Sequence, residues 1–590
     1  MNHKPNRICE FGPFRLDATE RVLLRSGRHV ALKPKSFDLL LALVENAGHI
    51  LGKEELMDQV WPGSFVEEGN LTVGISNLRR ILGRRRNGLP YIETVPRRGY
   101  RFIACVKKNW NSDRPQISSP LSVSDESIKK ADLKGIAVLP FKTIGAEPID
   151  EYLGLGLADA LITKLSNIQQ IVVRPTTAVR KYAGADDPVI AGRELNVTAV
   201  LDGSIQKAEQ DIRVTVQLID VRDGASLWAE KYDEQFINIF ALEDSISEQV
   251  ARALTLKLTA QERKLLSKRY TENTEAYLAY LKGRYFMGRR RQEDIKKAIE
   301  CFEQAITVDQ QYAPAYSGLA DSYNLLNSYY RGYMTKAKKA VLKALELDDT
   351  LAEAHVSLAH IKMKLEWDWP GAESEFKRAI ELNPNYAAAH HWYATTLRVM
   401  GRFDESLAQS RLAQELDPLS LIVNTSIGSS YYFRREYDKA IKQLLATIEL
   451  DPYFAHAHLC LGLAFEGKQM YEEAIAEYQK TGGLIGKIMD VVAYLGHAYA
   501  MSGRTREARA MLAELEKLSQ TDSAKGYFFA LVYTALGDKE EAFKYLKLAY
   551  EHRNEDMALV NIDPMMDSLR DDPRFVSLVK SLGLQPARAV

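Results

Sequence analysis

The residues with the clearest chemistry lie between Leu71 and Phe102. Ser76, Asn77, Arg79 and Arg80 fall within five positions, with Thr72 and Val73 just ahead of them. Thr94, Arg97 and Arg98 follow a short way on. At these spacings such residue types make neither a nucleophile–base set nor a metal cage. They are hydrogen-bonding groups and fixed cations, suited to reading base edges and neutralising phosphates. An asparagine matches adenine and an arginine matches guanine, each good bidentate pair giving roughly 1–3 kcal/mol of discrimination.

Such side chains need a rigid carrier. Leu71, Ile75, Leu78 and Leu82 recur at helical spacing and predict an amphipathic helix. Its remaining faces carry Thr72, Val73, Ser76, Asn77, Arg79 and Arg80. Gly83 stops the helix, and Arg84, Arg85 and Arg86 follow it. Tyr91 to Val95 and Tyr100 to Phe102 alternate on either side of Pro96-Arg97-Arg98-Gly99, which predicts a β-hairpin with two arginines at its tip. A helix fits the major groove of a duplex, and an arginine tip can enter the minor groove beside it.

The stretch before this helix reads as its support. Phe11 to Val30 alternates apolar and polar residues and predicts a small antiparallel sheet. A helix opens at Lys33-Pro34, buries Phe37, Leu40, Leu41 and Val44, and closes at Gly48. Ile50 to Leu56 starts a second helix, which ends at Trp61 because Pro62 cannot continue it. Met1 to Lys108 holds 19 Lys and Arg against 11 Asp and Glu, a balance of +8, while the chain's net charge is +0, so the remainder carries −8. A basic head on an acidic body fits one polyanion-binding domain.

The segments LKPKSFDLLLALVENAGHIL, KEELMDQVWP, ISNLRRILG and YIETVPRRGYRF stand in the order and spacing of a known family. Ile8 to Val106 resembles the winged helix-turn-helix effector domain of OmpR/PhoB-type response regulators, in its ToxR/CadC-like branch. The resemblance implies that the third helix is the recognition helix. It places Ser76, Asn77 and Arg80 at bases or adjacent phosphates, makes Arg79 a phosphate partner, and assigns Thr94, Arg97 and Arg98 to the wing. The loop Trp61 to Glu68 would face RNA polymerase, and relatives often bind tandem half-sites as homodimers. Gly69 and Gly74 stand where several relatives carry larger polar or basic residues, which implies base readout by fewer side chains. No receiver domain precedes Ile8 and no membrane span follows the head, so the family's usual switches are not expected. Asn109 to Leu133, rich in Ser, Asp, Pro and Lys, reads as a flexible linker.

Residues 134–260 predict an α+β domain. Gly135 to Phe141 and Ile171 to Val173 read as strands around a helix from Tyr152 to Leu165. Short helices are expected at Thr176–Tyr182 and Pro188–Leu195, three alternating strands between Val197 and Tyr232, and a closing helix from Phe240 to Leu258. The phrases IAVLPF, LADALITKLS, DGSIQKA and VQLIDVRDGASLWAEKYD resemble a TolB-like domain. Gly154-Leu155-Gly156 hints at a phosphate loop, but Asp159 stands where its third glycine belongs, so a packing turn is the plainer reading. Asp220, Asp223, Asp233 and Glu234 read as strand-end solvation rather than a metal site.

The second half is periodic. Pro384, Pro418 and Pro452 follow an Asx residue and are spaced by 418 − 384 = 34 and 452 − 418 = 34. That period is the tetratricopeptide repeat (TPR). Ala372, Phe376 and Ala379, then Ala440 and Leu444, then Gly462, Phe465, Ala474 and Tyr478 fill its helix-crossing positions. Seven to eight helix pairs are expected between Thr274 and Tyr550, within an array of residues 271–584 closed by a cap from Asp563 to Leu584. Such arrays form grooves for protein or peptide partners. The histidines here (His355, His360, His390, His391, His456 and His458) read as packing or groove residues.

The fold class is therefore multidomain: an α+β winged helix, an α+β TolB-like domain and an all-α TPR solenoid. Four scattered cysteines give no disulfide or metal framework and point to a reducing compartment. No run approaches the roughly 18 apolar residues of a membrane span. A soluble, cytoplasmic, one-component transcription regulator is expected. It would bind double-stranded DNA, use no cofactor or metal, and sense or recruit through its second and third parts. The alternative is a TPR scaffold whose winged helix docks protein. An enzyme is not expected.

Overall fold

The computed structural model describes residues 7–11, 13–17, 21–25, 28–30, 32–47, 50–60, 68–83, 91–95, 99–103, 107–110, 134–144, 151–184, 187–208, 211–235, 239–256, 258–327, 332–519 and 526–586. These fall in two compact units, Met1–Glu126 and Ser127–Val590.

The first unit opens with β1 (Arg7–Phe11), β2 (Phe14–Asp17), β3 (Val22–Arg25) and β4 (Arg28–Val30). Helix α1 (Pro34–Glu45), strand β5 (Ile50–Leu51), and helices α2 (Lys53–Val60) and α3 (Glu68–Leu82) follow, then β6 (Ile92–Val95), β7 (Gly99–Phe102) and β8 (Lys107–Trp110). The antiparallel sheet expected at the front has a fifth member, because β8 returns to pair with β1 in the order β4-β3-β2-β1-β8. The expected linker start at Asn109 is thus too early: Asn109 and Trp110 belong to this strand. Ile50 and Leu51, expected to start a helix, instead pair with Arg101 and Tyr100 of β7, and the helix begins at Lys53. Leu39, Leu43, Leu56, Leu71, Ile75 and Phe102 are fully or almost fully buried in one core.

The second unit starts with a mixed sheet. It comprises β9 (Lys134–Val138), β10 (Lys142–Ile144), β11 (Ile171–Val173), β12 (Ala199–Ala208), β13 (Asp211–Asp220) and β14 (Ser226–Gln235). Its order is β11-β9-β12-β13-β14, with β10 against β12. The strands β12, β13 and β14 run antiparallel, as their alternation predicts, whereas β9 pairs in parallel with β11 and β12. Helices α4 (Glu151–Leu165), α5 (Thr176–Val179), α6 (Pro188–Glu194) and α7 (Ile239–Ala253) cover it. The expected closing helix ends early, at Ala253, where Thr255 with φ of 54° turns the chain, and a separate α8 (Ala260–Leu266) follows behind a Thr259/Glu262 capping box.

Sixteen helices then make eight pairs among the described residues, from α9 (Thr274–Gly288) to α24 (Lys539–Glu551). Two short helical turns and α25 (Pro573–Ser581) form the cap. Small residues let helices cross closely, both within pairs and between them. A Cβ on Gly318 would meet the Phe302 ring at 2.6 Å, and one on Gly462 the Tyr478 ring at 2.4 Å. The histidines have a definite task. His355, His390 and His458 each span from a carbonyl six residues back (Asp349, Pro384, Pro452; 2.9, 3.0 and 3.0 Å) to an acceptor on the next helix (Glu375, Gln409, Glu477; 2.7, 2.7 and 2.6 Å). Asn424 does the same in the intervening repeat, donating to the Pro418 carbonyl at 3.0 Å. In these four repeats one polar side chain thus pins the turn to the helix pair.

Candidate nucleic-acid interface

The candidate surface is built on α3. Leu71, Ile75, Leu78 and Leu82 are each at most 1% exposed, so the predicted apolar stripe fixes which face is left outside. Gly83 ends the helix with φ of 69°, its amide donating to the Arg79 carbonyl at 2.9 Å. On the remaining surface Ser76 is exposed and Asn77 half-buried. Thr72, Val73 and Arg80 lie on the same helix, but their side chains fall outside the described residues, as do Arg97, Arg98, Arg84 to Arg86 and most of the loop Trp61 to Glu68.

The wing is the antiparallel pair β6–β7, with Ile92 opposite Phe102 and Val95 opposite Gly99. Arg101 crosses it to Glu93 at 2.7 Å. Gly99 must be glycine. Its φ is 140°, and a Cβ there would stand 2.0 Å from the Leu51 carbonyl oxygen of β5. The ring cluster of Phe11, Phe14, Tyr91 and Phe102, with centroids 5.1–6.2 Å apart, ties the wing to the front sheet.

Two findings revise the reading of individual residues. Arg79 does not simply face outward. Its Nε donates to the Ile92 carbonyl at 3.0 Å and its Nη2 to the Thr94 hydroxyl at 2.7 Å. The guanidinium therefore fastens the recognition helix to the first wing strand, and two of its five donors are spent before any phosphate arrives. Thr94, otherwise exposed, is the wing end of that link. Gly74 faces α1: a Cβ there would meet Leu39 Cδ2 at 2.9 Å, so a larger residue needs the end of the Leu39 side chain to give way.

In the second unit the Gly154–Gly156 pair is also explained by packing. A Cβ on Gly154 would lie 2.1 Å from the Phe141 carbonyl oxygen, and one on Gly156 would lie 3.2 Å from Leu281 of α9. Asp159 accepts from both Arg284 Nε and Nη2, at 2.8 and 3.0 Å. Asp220 is held by Arg222, and Asp233 by Arg213, as strand-end charges. No group of three His, Cys, Asp or Glu that could hold a metal exists among the described residues. No helix searched there is long and apolar enough to cross a membrane.

Residues 27–102 match the domain described as "Transcriptional regulatory protein, C terminal". Residues 132–249 match "HilA/YgeH-like transcriptional regulator, second domain". Tetratricopeptide repeats are matched at 290–312, 375–408, 425–481 and 527–555. In its first two domains the chain is similar to transcriptional regulators of the HilA/CadC type.

It is 24% identical to "Transcriptional regulator HilA" of Salmonella paratyphi A over 422 residues, 70% of this chain and 71% of that one. It is 34% identical to "Transcriptional activator CadC" of Escherichia coli K12 over 100 residues, 17% of this chain and 20% of that one. A third relative, "Putative adenylate cyclase 3" of Rhizobium meliloti, is 27% identical over 281 residues, 46% of this chain. The matched region spans about half of that relative's length, 47%. The likeness thus rests on three matches: a transcriptional regulatory C-terminal domain, a HilA-like second domain and TPR repeats.

Proposed function

We propose that this chain regulates transcription as a one-component protein, with α3 in the major groove of promoter DNA and the wing tip in the adjacent minor groove. Base readout falls to Ser76, Asn77 and Arg80, with Thr72 and Val73 against the groove wall. Arg97 and Arg98 supply the minor-groove and phosphate contacts. Domains 1–108, 134–260 and 271–584 are taken as reader, TolB-like coupling domain and partner-binding array, the reader being extended to Trp110 by β8. The loop Trp61 to Glu68 is the surface offered to RNA polymerase, and tandem sites would be filled by a homodimer. The chain acts in the cytoplasm and as a regulator rather than an enzyme. The observation that carries the reading is the Arg79 link, because it sets helix and wing at one fixed spacing, as two-groove binding requires.

A gel-shift series with genomic fragments tests it. The parent chain should select a subset of fragments. Asn77→Ala should bind but select differently, and Arg97→Ala with Arg98→Ala should weaken every fragment. If both variants behave like the parent, the groove assignment is wrong. If no fragment binds while a protein partner is retained on the repeats, the scaffold alternative holds.

A further inference from the structure

Where the middle domain meets the first repeats, the second unit encloses a cavity of about 550 Å³. One wall comes from α4 and α8. The other comes from α9, α11 (Ala313–Asn327), α13 (Ala352–Ile361) and α14 (Trp369–Leu382). It is a joint as well as a space. Arg284 of α9 holds Asp159 of α4, and Tyr277 donates to Glu243 of α7 across it.

The charges around this space are unequal. Five carboxylates line it against four cations, and each cation is already committed. Arg284 is bidentate to Asp159, Lys164 donates to Asp244 at 2.5 Å, Lys268 to Asp348 at 2.6 Å, and Arg378 faces Glu381 at 3.5 Å. Glu353 is different. No described residue gives it a hydrogen bond or an ion pair, yet its charge reaches Arg284, Tyr270 and Tyr280.

The polar groups around it are also open. Ser317 is 5% exposed, lines the cavity, and has no partner for its Oγ. Tyr312, 3% exposed, and Tyr280 place their rings 5.2 Å apart, and no described residue takes up either hydroxyl. A carboxylate without a directly bound counter-ion near tyrosine rings favours a cation, since ring faces are electron-rich. An anion would find only cations already paired and, in Glu353, one unpaired carboxylate to repel it.

We propose that this cavity binds a small organic cation, a primary amine on an aromatic body, with its ammonium on Glu353 and its body against Tyr280 and Tyr312. The bound amine would bridge middle domain and repeats, and so supply the signal that the regulatory reading requires. The proposal rests on that reading for its purpose, but its binding is measured without DNA, so either can fail alone.

Isothermal titration of the full chain with 2-phenylethylamine tests it, with 2-phenylethanol and phenylacetate as the neutral and anionic counterparts. The amine should bind saturably, with a dissociation constant on the order of 1 mM or tighter. Both counterparts should bind at least about tenfold more weakly. Glu353→Gln should weaken the amine by about tenfold, and Glu381→Gln should change it little. Equal binding of amine and alcohol, a preference for phenylacetate, or an unaffected Glu353→Gln chain would each overturn it. The three-ligand comparison uses the parent alone and decides the matter even if Glu353→Gln is poorly folded.

Discussion

Asn77 and Arg79 are two positions apart, and different work is proposed for them. Asn77 is half-buried on α3, and the proposed function gives its amide a base edge to read. Arg79 is bound to Ile92 and Thr94 of the wing. Asn77→Ala is expected to cost about 1–3 kcal/mol at its preferred base pair and little elsewhere, measured by competition among randomised duplexes. Arg79→Ala is expected to weaken all duplexes alike and to lower the head's unfolding free energy by about 1–3 kcal/mol, since two hydrogen bonds are lost. A change of sequence preference without a change of stability would contradict that role. The polar and cationic character of this face was legible in the sequence, because the apolar stripe leaves only one arrangement. What Arg79 touches was not, since Thr94 lies fifteen residues away on another element. The neighbour of Gly74 was hidden for the same reason: Leu39 belongs to α1.

Elements were most legible where one periodicity ran long enough. The 34-residue spacing located the helix pairs, and the burial of Ala372, Phe376, Ala379, Ala440, Leu444, Ala474 and Tyr478 at 0% exposure follows from it. Short elements were lost. The two-residue β5 carries no period of its own, and β8 is recognisable only by its pairing with β1. Gly318→Val is expected to destabilise the array by about 1–3 kcal/mol, because the added carbons meet the fully buried Phe302 ring; chemical unfolding of the full chain measures it. The junction of α7 with α9 gives a pH dependence. Burial pushes Glu243 up from the usual carboxylate range to about 7, against the pull of Lys164. An acid raised in the folded state stabilises below its unfolded value and loses that contribution as pH rises from about 4.5 to about 7. Glu243→Gln removes the loss, so its stability relative to the parent should rise across that window by on the order of 3 kcal/mol. A difference that stays flat with pH would show that the carboxyl ionises freely in the folded chain.

At the scale of the molecule, the middle domain and the repeats form one body. Arg174 donates to the carbonyls of Glu415 and Leu416 at 2.7 and 2.8 Å, Asn385 donates to Ile171 at 2.9 Å, and Thr177 donates to Asp417 at 3.0 Å. Two of the Asx-Pro turns that announce the repeats therefore also seat the domain before them. Nothing local in the sequence foretold this docking, because each contact joins residues more than 200 positions apart. Part of the array's surface is thus taken by its own chain, which narrows where an outside partner can sit. The +8 head and the −8 remainder, by contrast, could be counted from the sequence, and they set the most direct test. It is the equilibrium binding of the full chain to a short duplex across a range of salt concentrations. The expected result is a linear fall of log affinity with log salt, at about −0.9 per phosphate contacted, and a slope shallower by about two for Arg97→Ala with Arg98→Ala. An affinity absent even in dilute buffer, or a slope untouched by losing both arginines, would contradict the placement of helix and wing on DNA.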